Sequence, residues 1–318
     1  MRAAVVITTK DRKDDLRRAI TSAIRQTVPI EILVLDDGST DGTSDMLESE
    51  FPQVRLVRSP ISLGLVAQRN RGALLCSGEI IFSIDDDAEF SSSHIIGQTL
   101  ALFTRSRVAA VAIPYLEPQK SNRVFQKAPD SDAIWVTDAF RGTAYALRRD
   151  VFLELGGYRE QTIHQGEEID FCIRLLDNGF VVRLGIGDVI VHHEVPRRDW
   201  QRMDFYGRRN DILFAWRNVP MPYLPMHLVA TTCNGFTCAI RAKHPSDMLR
   251  GMLSAYSEIL SNWRCHDPVS QATYHLHRLL KKRGPRMLND IERFLPSVAA
   301  LSAGSAPFGE VSAHRKKK

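Results

Sequence analysis

Carboxylates stand at the ends of apolar runs in this chain. Asp85-Asp86-Asp87 closes the run Glu79 to Ile84. Three packed carboxylates raise one another's pKa unless something positive sits among them, and a divalent cation is the simplest compensation. Mg2+ and Mn2+ prefer oxygen donors and keep one or two carboxylates plus substrate phosphates. A solvated acidic turn would have the same composition. Asp36-Asp37-Gly38-Ser39 follows a second apolar run. Gly38 permits a tight turn, and the carboxylates suit a ribose hydroxyl or a base N–H, although the same residues also make turns and helix caps. Val189-Ile190-Val191-His192-His193 reads as a strand ending in paired histidines. Alternation lets only one ring face a given site, where a neutral imidazole is a good Mn2+ ligand. Gly166-Glu167-Glu168-Ile169-Asp170 opens a helix. A carboxylate in that first turn, raised by partial burial, could take a proton from an alcohol; acidic residues also favour any helix N-terminus. Ser62-Leu63-Gly64-Leu65 places a glycine turn ahead of Arg69, which suits a base or a phosphate, or simply the surface.

The elements that must position these groups alternate. Strands are expected at 3–8, 30–35, 54–57, 79–84 and 108–113. Helices are expected from Asp14-Asp15 through Ile24, around Met46-Leu47, and over 65–75 and 94–104. Such alternation implies a mostly parallel sheet with helices on both faces. Sheets of this kind bind ligands outside the carboxyl ends of their strands, where Thr8-Thr9-Lys10-Asp11, Asp36-Asp37 and the acidic triplet all fall. Residues 117–134 read as a loop. A second block, 135–218, carries strands near 143–148, 180–184 and 189–193 and helices at 150–155, 167–177 and 199–216. Beyond Pro220 the strand signal fades and 226–294 read as helices.

Taken in order, these runs resemble a family-two glycosyltransferase of GT-A fold. The residues that carry the resemblance are Val6 to Arg12, Val34 to Thr43, Leu63-Gly64 with Arg69-Asn70, and Ser83 to Asp87. Arg141-Gly142-Thr143, Leu155 to Tyr158, Gly166 to Asp170 and Val191-His192-His193 complete the set, which spans about 3–210. The resemblance implies an α/β chain: a GT-A-type mostly parallel sheet flanked by helices, with a C-terminal helical appendage. The catalytic domain would be 1–218, with a donor half of about 1–116 and an acceptor half of about 135–218. A helical region 219–295 and a disordered basic tail 296–318 would follow.

By the same resemblance Thr9, Asp11 and Asp37 fall where the family holds the base and ribose. Arg69 falls near that pocket and Asp86 beside it. Asp85 and Asp87 match the outer acids of the metal motif, completed by His192 with His193 as the alternative. Glu168 falls where the family usually has an Asp acting as base. Glu167 and Asp170 are the neighbouring candidates, and Thr8 and Asp36 the secondary ones for the nucleotide. Glu167 and Asp170 are three apart and share a helical face, whereas Glu168 points about 100° away from Glu167. The longer Glu, and Thr8-Thr9 where many members carry a proline, are departures from the family.

The chemistry implied is an inverting, metal-assisted single displacement by a hexosyl- or deoxyhexosyltransferase. The cofactor would be Mg2+ or Mn2+. The donor would be a nucleotide-sugar, UDP- or dTDP-type ahead of others, and the acceptor a glycan or lipid-linked saccharide. A sugar nucleotidyltransferase is the competing enzyme class, but the loop after the first strand lacks its glycines. A degenerate sugar-nucleotide-binding protein is the non-enzymatic alternative. A dehydrogenase is disfavoured, because no GxGxxG follows the first strand.

Composition narrows the partners. Among 318 residues, 42 Lys and Arg oppose 37 Asp and Glu for a net +5. The final four residues, Arg315 to Lys318, carry most of that excess, so the chain has no nucleic-acid footprint. Five scattered cysteines without a zinc-type pattern read as reduced thiols. That points to a cytoplasmic protein. Residues 219–242 are apolar but broken by Pro220, Pro222 and Pro225, which suits a helix packed on the catalytic domain. The sharper expectation is a peripheral contact at the inner face of a membrane, aided by the basic cluster 278–286 and the tail.

Overall fold

The computed structural model describes residues 1–193, 199–241 and 245–298. The strands among the described residues are β1 (Ala3–Thr9), β2 (Ile30–Asp36), β3 (Arg55–Arg58), β4 (Ile80–Asp85), β5 (Ala88–Phe90), β6 (Val108–Ala112), β7 (Tyr115–Glu117), β8 (Ser121–Phe125), β9 (Trp135–Thr137), β10 (Ala144–Arg148), β11 (Val181–Leu184), β12 (Ile190–His192) and β13 (Arg286–Met287). The helices are α1 (Lys13–Ile24), α2 (Thr43–Glu50), α3 (Leu65–Leu75), α4 (Ile95–Leu100), α5 (Arg149–Glu154), α6 (Glu167–Asp177), α7 (Trp200–Asn218), α8 (Leu224–Arg241), α9 (Pro245–Ser261), α10 (Gln271–Arg283) and α11 (Leu288–Ile291).

Strand β1 explains the frame. All seven of its residues are buried, as expected of a strand covered on both faces. Ala3, Val5 and Ile7 enter one core, and Ala4 and Val6 the other. Period-two alternation thus divides β1 between two helical layers. Strand β2 does the same with Ile32 and Val34 against Leu33 and Leu35. In α1, Leu16, Ala19, Ile20 and Ala23 recur at helical spacing and close the first core.

The large sheet runs β13-β9-β11-β6-β10-β4-β1-β2-β3. Strands β1, β2, β3 and β4 pair in parallel, and so do β6 and β11. Parallel register places Thr9 opposite Asp36 and Thr8 opposite Asp85, so three of the sequence's motifs meet at one sheet edge. A small sheet of order β5-β12-β7-β8 stands beyond that edge.

Three elements depart from the sequence reading. The stretch 117–134 is not all loop, because Ser121–Phe125 pairs antiparallel with β7 and Tyr115 stacks on Phe125. The helix expected over 94–104 spans only Ile95–Leu100. The C-terminal region is not wholly an appendage. Met287 pairs with Trp135 at the sheet edge, and Leu276, Leu280, Leu288 and Ile291 join the first core. Residues 296–298 also pack, the Pro296 carbonyl accepting from Arg107 Nη1 at 2.8 Å. The rest of the expected tail, 299–318, lies outside the described residues. No described helix is long and apolar enough to cross a membrane.

Candidate active site

The acidic triplet is the hinge between the two sheets. Asp85 ends β4, Asp86 and Asp87 turn, and Ala88 begins β5. Strand β12 then pairs antiparallel with β5, His192 opposite Ala88. That register fixes the histidine. Its Nε2 lies 3.2 Å from Asp87 Oδ1 and 4.0 Å from Asp85 Oδ2. One donor atom from each of Asp85, Asp87 and His192 lies within 4.8 Å of the others. Two carboxylates and one imidazole suit Mg2+ or Mn2+ in size and donor type. The other ring nitrogen, Nδ1, stands 3.1 Å from Glu117 Oε1 on β7. Burial lowers the imidazole's pKa, but Asp87, Asp85 and Glu117 outweigh it and leave it raised. Burial also raises Asp87, yet His192 and Arg12 hold it down to about 2.

Asp86 faces the other way. Its Oδ2 accepts from Thr9 Oγ1 at 2.8 Å, and its Oδ1 from Arg12 Nη1 at 3.1 Å. The same Nη1 donates to Asp87 Oδ2 at 2.8 Å. Burial nevertheless pushes Asp86 up to about 7. Arg12 and Glu117 are both absent from the candidates named above. Arg12 lay inside the quoted Val6 to Arg12 motif, but its partners are 74 and 75 residues distant in sequence.

A buried arginine joins the triplet to helix α6. Arg69 Nη2 donates to Asp85 Oδ1 at 2.8 Å and to the Gly142 carbonyl at 3.1 Å. Its Nη1 donates to Glu167 Oε1 at 3.0 Å and lies 3.6 Å from Glu168 Oε1. Burial raises both glutamates; the charge of Glu168 raises Glu167 further, and Arg69 opposes the rise in each. Glu168 is the more open of the two, its side chain 17% exposed against 2% for Glu167. Gly142 makes the approach possible, since a Cβ there would overlap Glu168 Oε1 and both Arg69 Nη atoms.

The turn before α6 is strained. Ile163, a β-branched residue, has φ 61° and Gln165 has φ 65°. Asn210 of α7 holds it, its Nδ2 within 2.7–2.8 Å of the carbonyls of Thr162, His164 and Gln165.

The expectations for Arg69, Asp170, His193 and Asp36 are corrected. Arg69 is engaged below the site by Asp85 and Glu167 and is 5% exposed, so it does not present to a base or phosphate. Asp170 does not share a site with Glu167. It pairs with Arg159 and Arg174 and accepts from Asn218, while Glu167 turns to Arg69. His193 points to Glu89 at 2.7 Å, as alternation along the strand requires. Asp36 is fully buried and accepts from the Ser39 amide and the Ser44 hydroxyl, which ties down the turn after β2. Thr8 is buried in β1. Asp11 is exposed, but its Oδ1 accepts from the Thr40 amide and hydroxyl. Asp37 holds the loop before α3, accepting from Ser62, Leu63, Gly64 and Gln68. Those donors lower its pKa against burial, which raises it.

Comparison with known proteins bears on this edge. The family model for glycosyl transferase family 2 matches residues 4–159, which contain the acidic triplet, Thr9, Arg12, Arg69, Glu117 and Gly142 but not α6, α7, His192 or His193. A pre-mycofactocin glycosyltransferase of Mycobacterium tuberculosis is 28% identical over 222 residues, 64% of this chain and 45% of its own length. An O-antigen chain rhamnosyltransferase of Salmonella anatum is 24% identical over 55% of this chain and 60% of its own. The chain thus spans about half the length of these curated relatives. Among solved structures, S. aureus TarS (1–349) superposes with a TM-score of 0.61 at 13% identity, covering 92% of this chain and 90% of that one. The mannosyltransferase PcManGT from Pyrobaculum calidifontis, in complex with GDP-Man and Mn2+, superposes at 0.56 with 17% identity over 92% and 84%. The fold they share with this chain is GT-A.

Proposed function

We propose that this chain, which belongs to glycosyl transferase family 2 through residues 4–159, moves a sugar from a nucleoside-diphosphate donor to an acceptor hydroxyl with inversion. The observation that carries the reading is that Asp85 belongs at once to the Asp85–Asp87–His192 cluster and to the ion pair with Arg69, which also faces Glu168.

Asp85, Asp87 and His192 Nε2 are the groups that would hold a divalent cation, Mg2+ or Mn2+. When bound there, the cation would stabilise the negative charge developing on the departing diphosphate. Glu117 keeps the histidine ring in the orientation that turns Nε2 toward the acids. Thr9 and Arg12 fix Asp86 and Asp87 from the β1 side. Glu168 takes the acceptor's proton as the hydroxyl attacks the anomeric carbon. Its raised pKa makes it a better base than an ordinary carboxylate, and Arg69 keeps the Glu167–Glu168 pair from holding two protons. One displacement inverts the anomeric configuration, and no carboxylate is needed as a nucleophile. Thr9, Asp11 and Asp37 border the space for the base and ribose of a UDP- or dTDP-type donor. A glycan or lipid-linked saccharide is the acceptor class, a reading that the O-antigen chain rhamnosyltransferase among the relatives supports.

A thermal-shift panel of nucleoside diphosphates with and without Mn2+ tests the reading. Bound ligand raises the apparent stability of the folded state. The wild-type shift should need Mn2+ and vanish in Asp87→Ala. An equal, metal-independent shift in that variant would reduce the triplet to a structural turn.

A further inference from the structure

Helices α8 and α9 form an outlying layer, and α8 contacts only its helical neighbours α7 and α9 extensively. Only Leu224, Gly235 and Ala239 of α8 are buried. Its exposed apolar residues include Met226, Val229, Ala230, Cys233, Phe236 and Ile240, which recur along one face with Thr237 among them. Met226 is 80% exposed and Ile240 85%. No residue from Leu224 to Ile240 carries a formal charge other than His227 when protonated. Helix α9 continues the surface with Leu253 and Leu260, followed by Trp263, all more than half exposed. Exposed apolar side chains gathered on two helices that pack together mark a binding surface.

The rim of that face is cationic. Arg241, Arg250 and Arg264 are exposed. Lys281 and Lys282 are exposed at the end of α10. Helix α10 runs beside the start of α8: Tyr274 Oη is 3.0 Å from His227 Nδ1, and burial together with the charges of Arg278, Lys281 and Lys282 lowers the imidazole. The two acidic residues of α8 and α9 are both occupied. Asp247 pairs with Arg250, and Glu258 lies between Arg209 and Arg217. The surface therefore offers apolar side chains, an exposed tryptophan and an excess of cations over acids, Arg250 being paired with Asp247 and Lys281 facing Asp211.

We propose that the outer face of α8 and α9 docks on an anionic lipid surface, the two helices lying in the plane of the interface. Apolar stripes buried to headgroup depth and basic flanks are the two components of such binding. No described helix is able to span a bilayer, so the contact is peripheral. A second copy of the chain is the poorer occupant. A two-fold interface brings the same patch from both copies together, which sets one cationic rim against the other. The consequence reaches the site, since α9 packs on α7, and α7 holds the turn ahead of Glu168 through Asn210. The proposal stands independently of the transfer reading, because binding alone tests it.

The experiment is flotation of the full chain with phosphatidylcholine vesicles, with and without phosphatidylglycerol. Wild type should float with the anionic vesicles and lose affinity as salt rises. Val229→Glu, Phe236→Glu and Ile240→Glu alter exposed positions, so an unchanged melting temperature certifies the fold. Each should cut vesicle affinity roughly tenfold to a hundredfold. Lys281→Ala with Lys282→Ala should cut anionic-vesicle affinity about thirtyfold. Wild type that stays unbound with anionic vesicles overturns the proposal, as does a triple glutamate variant that floats like wild type. A concentration-dependent dimer that this triple variant dissociates, without flotation of either form, would assign the face to a second copy and also overturn it.

Discussion

His192 Nδ1 lies 3.1 Å from Glu117 Oε1, and that contact decides which ring nitrogen is left for Asp85 and Asp87. A carboxylate behind a ligating imidazole fixes its tautomer and raises its basicity. Glu117→Gln should therefore weaken Mn2+ affinity by about tenfold and Glu117→Ala by up to about a hundredfold. Calorimetric titration with Mn2+ alone reads this without any transfer assay. Unaltered affinity in both variants would detach Glu117 from the histidine's role.

Gly142 leaves the space that the carboxylate of the proposed base occupies. A Cβ at this position would overlap Glu168 Oε1 and press on Arg69. Gly142→Ala should leave donor binding intact and slow transfer by on the order of a hundredfold, the cost of about 1 Å of misplacement. Single-turnover rates beside donor affinities check it.

Arg69 is a structural charge more than a substrate contact. Its side chain is 4% exposed and faces Asp85, Glu167 and Glu168. Removing one partner of a buried pair strands the others, at a cost of about 3–5 kcal/mol. Arg69→Met should lose about that much in urea unfolding. Adding Glu167→Gln should restore part of it, because one uncompensated carboxylate is then gone. A double variant no more stable than Arg69→Met would count against the pairing.

Acid should weaken the fold through two buried imidazoles. Burial lowers His164 to about 4, with Arg202 and Arg69 adding to it. Burial likewise lowers His277 to about 4; Lys281 and His227 add to that and Asp138 opposes it. Unfolded histidine binds its proton near pH 6.5. Between pH 6.5 and 4 the unfolded chain binds more protons than the folded one, so stability falls as pH falls through that window. The urea midpoint should drop from pH 7 to pH 4.5, and His277→Gln should flatten the slope. An equal slope in that variant would place the titration elsewhere.

The core was legible where the chemistry is one-dimensional. Residues Ala3 to Thr9 are apolar or β-branched without a break, so β1 could be read directly, and the acids after β2 and β4 followed from the same logic. Strand β5 could not be read, because Ala88-Glu89-Phe90 is too short for alternation to register. Strand β8 is polar, Ser-Asn-Arg-Val-Phe, and owes its conformation to pairing with β7. Glu117 was hidden with it, since a residue assigned to a loop gives no hint of facing His192. The Asp85–Asp87–His192 grouping was carried by spacing and resemblance, whereas the burial of Arg69 was not, because helix periodicity gives a face and not a partner. Glu167 and Glu168 lie about 100° apart on α6, yet both reach Arg69, because long side chains at a helix start can converge on one cation.

The central claim is that Glu168 takes the acceptor's proton. Glu168→Gln keeps the shape and removes the base, so its single-turnover transfer rate, measured beside donor affinity in Mn2+, is the direct test. The rate should fall by about a hundredfold to ten-thousandfold, with donor affinity held within about twofold. In wild type the rate should fall with pH through a pKa above the ordinary glutamate value, as burial raises Glu168. Transfer by Glu168→Gln at the wild-type rate would contradict the account.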